Sequence, residues 1–232
     1  MEEKLGMIGL GKMGLALARE MITDGHEVCG YDIDPKRMKM LEDLGGTAAA
    51  NAKETAERSD ITFSILLKPA HIEENTTGPN GIVRASNDGL IHVEMSTMPP
   101  AWQTELAAKL AAYKIDMLDA PISGSHDRVN TREISFMVGG KQDIVERVRP
   151  ILEPLAVAVT HTGPSGSAAT MKVVTNQFVN ATTAIFAEMV LVGERAGLSH
   201  EIMMTCLRSG SVQGSMLEQM VPRLFVRDFE AR

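Results

Sequence analysis

Gly9-Leu10-Gly11-Lys12-Met13-Gly14 follows an apolar run at 5–8 and precedes a helical pattern at 15–22, and a second strand-like run, 27–31, leads into Asp32. Strand, glycine turn, helix, and a second strand ending in an acid is the order that a dinucleotide pyrophosphate requires. Gly9 permits the tight turn, Gly11 lets backbone approach the phosphates, and Gly14 lets the helix pack closely. The N–H groups of this turn and of the helix N-terminus, from Gly9 through Leu10, Gly11, Lys12 and Met13 to Gly14, receive the anion. An acid about 20 residues further on is placed to hydrogen-bond ribose hydroxyls. The same carboxylate repels a 2′-phosphate, and Ile33-Asp34-Pro35 offers no cation to receive one. Pro35 can begin a helix that carries Lys36 and Arg37 away, so NAD is expected in preference to NADP.

Strand-like runs continue at 60–67, 89–95, 115–119, 134–138 and 156–161, and helical patterns at 35–44, 51–58, 99–112 and 141–152 separate most of them. Such alternation predicts an α/β, Rossmann-type, doubly wound, mostly parallel sheet covered on both faces. The run 134–138 follows its predecessor without an intervening helix, so it is the candidate for an antiparallel strand. The sheet domain is expected to occupy 1–162, and an all-α substrate or dimerisation domain 163–232. Ligands of such sheets bind beyond the carboxyl ends of the strands. Three strand-end segments qualify besides the glycine turn. Met95-Ser96-Thr97 can address the nicotinamide amide, Leu66-Leu67-Lys68-Pro69 can form another wall, and Asp119-Ala120-Pro121-Ile122-Ser123-Gly124-Ser125 presents a hydroxyl and the backbone N–H groups of Gly124 and Ser125 to a carboxylate.

The stretch 167–195 reads as one helix roughly 40 Å long, with Ser167 as its N-cap. It is apolar on nearly every side, which predicts burial all round. Lys172, Asn176 and Asn180 nevertheless recur every fourth residue and form one polar stripe. A partly desolvated lysine loses some preference for its charged form, and a neighbouring oxidised nicotinamide acts in the same direction. Such a lysine can take a proton from an alcohol and return it to a carbonyl. Asn176, one turn on, can bond the lysine or the substrate without adding charge.

Composition bounds the remainder. Of 232 residues 44% are hydrophobic, enough for a core, and a net charge of −7 disfavours nucleic acid as a partner. The two cysteines, Cys29 and Cys206, make no disulfide framework and suit a reducing cytoplasm. No apolar run approaches the length of a membrane span, and the start of the chain enters a strand directly, so neither membrane insertion nor a signal peptide is expected. The six histidines lack carboxylate or cysteine partners at ligand spacing, so no metal is expected. His126 beside the anion loop reads as a surface-turn residue, because Lys172 already fills the role of base.

Together these segments resemble the β-hydroxyacid dehydrogenases, the family of 3-hydroxyisobutyrate dehydrogenase and tartronate semialdehyde reductase. The resemblance covers essentially the whole chain, through 9–14, Asp32, Glu94-Met95-Ser96-Thr97, 119–125 and 163–177 in order. It implies that the loop at Ser123-Gly124 holds a substrate carboxylate, that Lys172 is the acid/base group and that Asn176 assists it. The reaction implied is NAD-dependent oxidation of a small β-hydroxy acid of the 3-hydroxyisobutyrate type. Phosphogluconate dehydrogenases share the architecture but usually place a histidine and a glutamate after the lysine, where this chain has Thr175, Gln177 and Phe178. Imine reductases usually replace the lysine itself. A non-catalytic dinucleotide-binding module is the remaining alternative, and the joint presence of base, asparagine and anion loop favours the enzyme. Three departures stand out. Ser125 replaces a frequent glycine, and Val129 and Arg132 stand where alanine and glycine are usual. The sequence also stops at Phe229-Glu230-Ala231-Arg232, where relatives continue through further helices that carry a Lys-Asp pair. The short segments 199–209 and 215–226 could hardly cover the long helix in a lone monomer, which implies either a fragment or a homodimer or higher oligomer formed through that helix.

Overall fold

The computed structural model describes residues 3–210 and 214–228. Strands β1 (Leu5–Ile8), β2 (Val28–Tyr31), β3 (Thr47–Ala48), β4 (Ile61–Ser64), β5 (Ile91–Glu94) and β6 (Asp116–Asp119) are mutually parallel, in the spatial order β3-β2-β1-β4-β5-β6. Between them run α1 (Lys12–Thr23), α2 (Pro35–Asp43), α3 (Ala52–Glu57), α4 (Pro69–Thr76) and α5 (Pro100–Ala111). The order reverses between β1 and β4, and the crevice beyond that reversal is where sheets of this kind take ligands. One sheet face buries Leu5, Met7, Leu17, Met21, Phe63 and Val93, and the other buries Ile8, Ile72, Ile82, Leu106 and Leu110.

The far edge changes direction. β7 (Ile122–Ser123), α6 (His126–Val129), β8 (Ile134–Gly139), α7 (Gln142–Leu152) and β9 (Ala156–Gly163) follow β6. β8 runs antiparallel to both β6 and β7, the direction expected, although the connection read as helix-free contains the one-turn helix α6, and β9 is parallel to β8. Four short strands and α-helices escaped the sequence reading, β3, β7, α4 and α6, as did the 3-10 helices Ile82–Arg84 and Glu153–Leu155. The strand expected over 60–67 also ends at Ser64, because the chain must turn before Pro69 opens α4. Turn chemistry is explicit elsewhere: Asp34 accepts from Lys36 N at 2.9 Å to cap α2, with Pro35 as its first residue.

By its contacts the chain divides into Met1–Lys172 and Val173–Arg232, so the opening turns of α8 (Ser167–Arg195) go with the sheet. The sequence boundary at 162/163 marks the end of β9 instead. In the second unit Phe186 and Val190 of α8 pack with Met204 of α9 (His200–Ser209) and with Leu217 and Val221 of α10 (Ser215–Phe225). The expectation that α8 is buried on every side is overturned. Phe178 is 66% exposed, Ile185 63% and Val192 70%, because α9 and α10 cover only the side of the helix that carries Phe186 and Val190. Residues 229–232, on which the reading of a shortened second domain rests, lie outside the described residues.

Ser167 does not cap α8. Its hydroxyl pairs with Thr162 Oγ1 at 2.8 Å, and the cap comes from across the fold. Asp119, the fully buried last residue of β6, accepts from Gly166 N (2.8 Å, Oδ1) and from Ala169 N (2.9 Å, Oδ2). Both carboxylate oxygens thus satisfy orphan donors at the positive end of α8. Gly139 leaves the room for this, since a Cβ there would lie 2.6 Å from Asp119 Oδ1. An amide at position 119 can accept only one of these bonds and must turn its own NH2 on the other donor. Asp119→Asn is therefore expected to lose about 2 kcal/mol of stability in urea unfolding, and a loss under roughly 0.5 kcal/mol would show the clamp to be dispensable.

Candidate active site

The glycine turn forms between β1 and α1. Gly9 has φ 90°, a left-handed conformation natural to glycine, and a Cβ there would lie 2.5 Å from the Ile65 carbonyl oxygen. A Cβ on Gly14 would collide with the Gly9 carbonyl oxygen. At Gly11 the case differs: the nearest atom to a built Cβ is the Arg37 guanidinium at 3.8 Å, so the missing side chain leaves space that this chain itself leaves unfilled. Gly11 is also the N-cap of α1, with no side-chain cap. The opening amides of Lys12, Met13 and Gly14 thus meet an open face at the positive end of a helix, and a pyrophosphate fits that donor set. Lys12 is exposed and Leu10 buried.

Asp32 is 6% exposed and already engaged. Its Oδ2 accepts from Leu10 N at 2.7 Å and its Oδ1 from Asp34 N at 2.9 Å, so the carboxylate holds the glycine turn in shape. The expectation that Pro35 carries Arg37 away is overturned. Arg37 lies in the first turn of α2, which starts beside the end of β2, and its Nη1 comes within 3.3 Å of Asp32 Oδ2. A half-exposed guanidinium therefore stands beside both Asp32 and Gly11.

The walls beyond β4 and β5 are tied together. Ser96 is 2% exposed, and its Oγ accepts from Leu66 N at 2.8 Å, so its hydroxyl serves as a bridge between the two strand-end loops. Thr97 and Leu67 are exposed beside that bridge, Leu67 to 91%.

The anion loop leaves β7. Ser123 is exposed at the end of the β7–β8 ladder, opposite Ser135. Gly124 takes φ 131°, with the Ile134 side chain where a Cβ would fall, and Ser125 precedes α6 without capping it by its side chain. Lys172 reaches this loop: its Nζ donates to the carbonyl oxygen of Ile122 at 2.8 Å. Burial pushes the Lys172 amine below the ordinary lysine value. Asn176 follows one turn later on α8, half-buried, whereas Asn180 is exposed.

Three groups had no assigned role in the sequence reading: Asp119, Glu94 and Arg37. An acid closing an otherwise apolar buried strand, as in Met117-Leu118-Asp119, was the available signal, because such a carboxylate must find donors. Arg132 is a fourth. It adopts φ 56°, where glycine is usual in the resembled family, and its guanidinium reaches Asp24 (2.6 Å), Glu20 (3.4 Å) and the Pro154 carbonyl (3.1 Å). His126 pairs with its neighbour Asp127 at 3.2 Å. Among the described residues no group of His, Cys, Asp or Glu is placed to hold a metal, and no helix is long and apolar enough to cross a membrane.

Residues 4–163 match the family model of the NAD binding domain of 6-phosphogluconate dehydrogenase, and residues 166–232 that of the NAD-binding domain of NADP-dependent 3-hydroxyisobutyrate dehydrogenase. The chain is 32% identical to the 2-hydroxy-3-oxopropionate reductase of Escherichia coli, covering 97% of this chain and 77% of that protein. It is 28% identical to the 2-(hydroxymethyl)glutarate dehydrogenase of Eubacterium barkeri, over 96% and 74% of the respective chains. The crystal structure of a 3-hydroxyisobutyrate dehydrogenase from Salmonella typhimurium superposes with a TM-score of 0.85 at 26% identity, covering 97% of this chain and 79% of that one. With both units matched and the glycine turn, anion loop and lysine brought into one framework, the chain belongs to the β-hydroxyacid dehydrogenase family of NAD(P)-dependent oxidoreductases.

Proposed function

We propose that this chain oxidises a small β-hydroxy acid of the 3-hydroxyisobutyrate type, with Lys172 as the acid/base group. One observation carries the reading: a partly buried amine with a depressed pKa is bonded to the Ile122 carbonyl, immediately before the loop 123–125. In a β-hydroxy acid only one carbon separates the carboxylate from the carbon bearing the hydroxyl. An anion held by Ser123, Gly124 and Ser125 therefore brings its hydroxyl to a base rooted beside that loop. An oxidised nicotinamide, when bound, would supply the hydride acceptor. Burial disfavours the charged form of Lys172, the amine in its neutral form accepts the hydroxyl proton, and Asn176 bonds the substrate oxygen or the lysine without adding charge. Thr97, with Leu66 and Leu67, forms the wall on the cofactor side, and the 9–14 turn with Asp32 holds the dinucleotide. The exposed apolar face of α8 supports pairing of two copies through that helix, and two free cysteines suit a reducing, cytoplasmic setting.

NAD remains the preferred cofactor in this reading, because Asp32 stays at the end of β2. Arg37 narrows the preference, since a 2′-phosphate that meets the carboxylate also meets a guanidinium. Arg37→Ala is expected to lower kcat/KM with NADP about tenfold while changing that with NAD far less. Equal losses with both cofactors would remove Arg37 from cofactor choice.

Lys172→Met should lower kcat about 10³-fold with NADH binding nearly unchanged, and a variant that keeps most of its turnover would refute the assignment. The sign of the pH dependence follows from the depressed amine. Oxidation needs the neutral form, so its rate should rise with pH and level off below the ordinary lysine value of 10.5. Reduction needs the charged form and should fall over the same window. Initial rates in both directions, with a panel of three- to five-carbon hydroxy acids and their carbonyl products, test this.

A further inference from the structure

A line of polar side chains runs through the middle of the sheet where core would be expected. Thr62 and Ser64 of β4 stand in register with His92 and Glu94 of β5, and all four are at most 1% exposed. Ser64 Oγ donates to Glu94 Oε2 at 2.6 Å. Its single proton is thereby committed, so it can only accept from His92 Nε2, at 3.2 Å. His92 then carries its hydrogen on Nε2, and its Nδ1 faces Thr62 Oγ1 at 3.0 Å. The other oxygen of Glu94, Oε1, accepts from Ser96 N at 2.8 Å.

Four buried polar residues cost stability unless each is bonded, and a sheet gains nothing from them that apolar residues would not supply. Their common end point is Ser96. Its N–H is held by Glu94, its carbonyl by Gln103 Nε2 at 3.3 Å, and its hydroxyl is the acceptor for Leu66 N. Both strand-end walls thus hang on one serine whose backbone is fixed from within the sheet.

We propose that Glu94 is a positioning residue for cofactor binding: through Ser96 it fixes the Ser96–Leu66 bridge, with Ser64 and His92 orienting its carboxylate. This rests on the reading that the bridge lines the nicotinamide side of the cleft. Glu94 itself touches no reacting atom.

NADH binding by fluorescence titration, with melting curves for each variant, reads the effect. Glu94→Leu fills the same space without acceptors and should raise the Kd for NADH about tenfold, since Ser96 N–H loses its buried partner. Glu94→Gln should restore Kd to within about threefold, because its oxygen still accepts from Ser96 N. The glutamine must, however, donate to Ser64, which then gives its proton to His92 Nε2. Nitrogen-15 shifts of His92 in the cofactor-free protein should accordingly show the hydrogen moved from Nε2 to Nδ1. The tautomer change reads the hydrogen-bond chain alone; a purely structural Glu94 predicts that NADH binding follows the melting temperature across the variants, whereas a positioning Glu94 predicts a raised Kd in Glu94→Leu at temperatures where that variant is fully folded. Ser96→Ala separates the two readings. If it weakens NADH binding while Glu94→Leu does not, the role of Glu94 is refuted and the wall stands. If neither weakens it, the wall reading fails as well. Should Glu94→Leu not fold, Ser64→Ala removes one tether of the carboxylate and should raise Kd about threefold, and an unchanged Kd overturns the proposal. An unchanged His92 tautomer in Glu94→Gln refutes the hydrogen-bond chain.

Discussion

The carboxylate of Asp119 fastens the helix that carries the lysine to the sheet that carries the dinucleotide turn. It is fully buried, and the amides of Gly166 and Ala169 at the start of α8 are its hydrogen-bond donors. A charge so placed is costly without partners and strongly directional with them. Register does the rest. Asp119 pairs with Glu94 across β6 and β5, so the α8 anchor and the Ser96 wall spring from neighbouring strand ends, about 5 Å apart. Lys172 comes three residues after Ala169, and its reach to Ile122 O follows from where the helix is pinned.

Three acids end strands here, Asp32 on the β2 side, Glu94 on β5 and Asp119 on β6, and each is buried and accepts backbone N–H groups. They act as internal anions that consume turn donors. At the start of α1 and at Ser125 before α6, by contrast, no side chain caps the helix. Those are the two places where the proposed reaction requires an outside anion, the pyrophosphate at one and the substrate carboxylate at the other. α4, α5 and α7 also begin without a side-chain cap, so a missing cap does not by itself mark a ligand site.

What was legible in the sequence depended on the range of the interaction. The 9–14 turn, the alternation of strands and helices, the antiparallel 134–138 run and the full extent of α8 all follow from local pattern. β3 and β7, two residues each, have no period to detect. The cap on α8 was misassigned to Ser167 because its true source lies 47 residues away, at Asp119. Arg37 was misplaced for a similar reason: Pro35 correctly signals a helix, but the direction in which that helix leaves β2 is a tertiary property. Burial of α8 was inferred from composition alone, and composition does not say whether the covering surface belongs to the same chain.

Arg132 gives the turn between α6 and β8 an unusual dependence. A left-handed φ at a residue other than glycine stores strain, and here it is held by a guanidinium reaching Glu20 and Asp24 at the far end of α1. In a loop shaped by glycine the conformation is intrinsic to the backbone. In this one it is maintained by partly solvated charges, whose attraction fades as dissolved ions screen it. Ionic strength thereby bears on the turn that leads from α6 into β8.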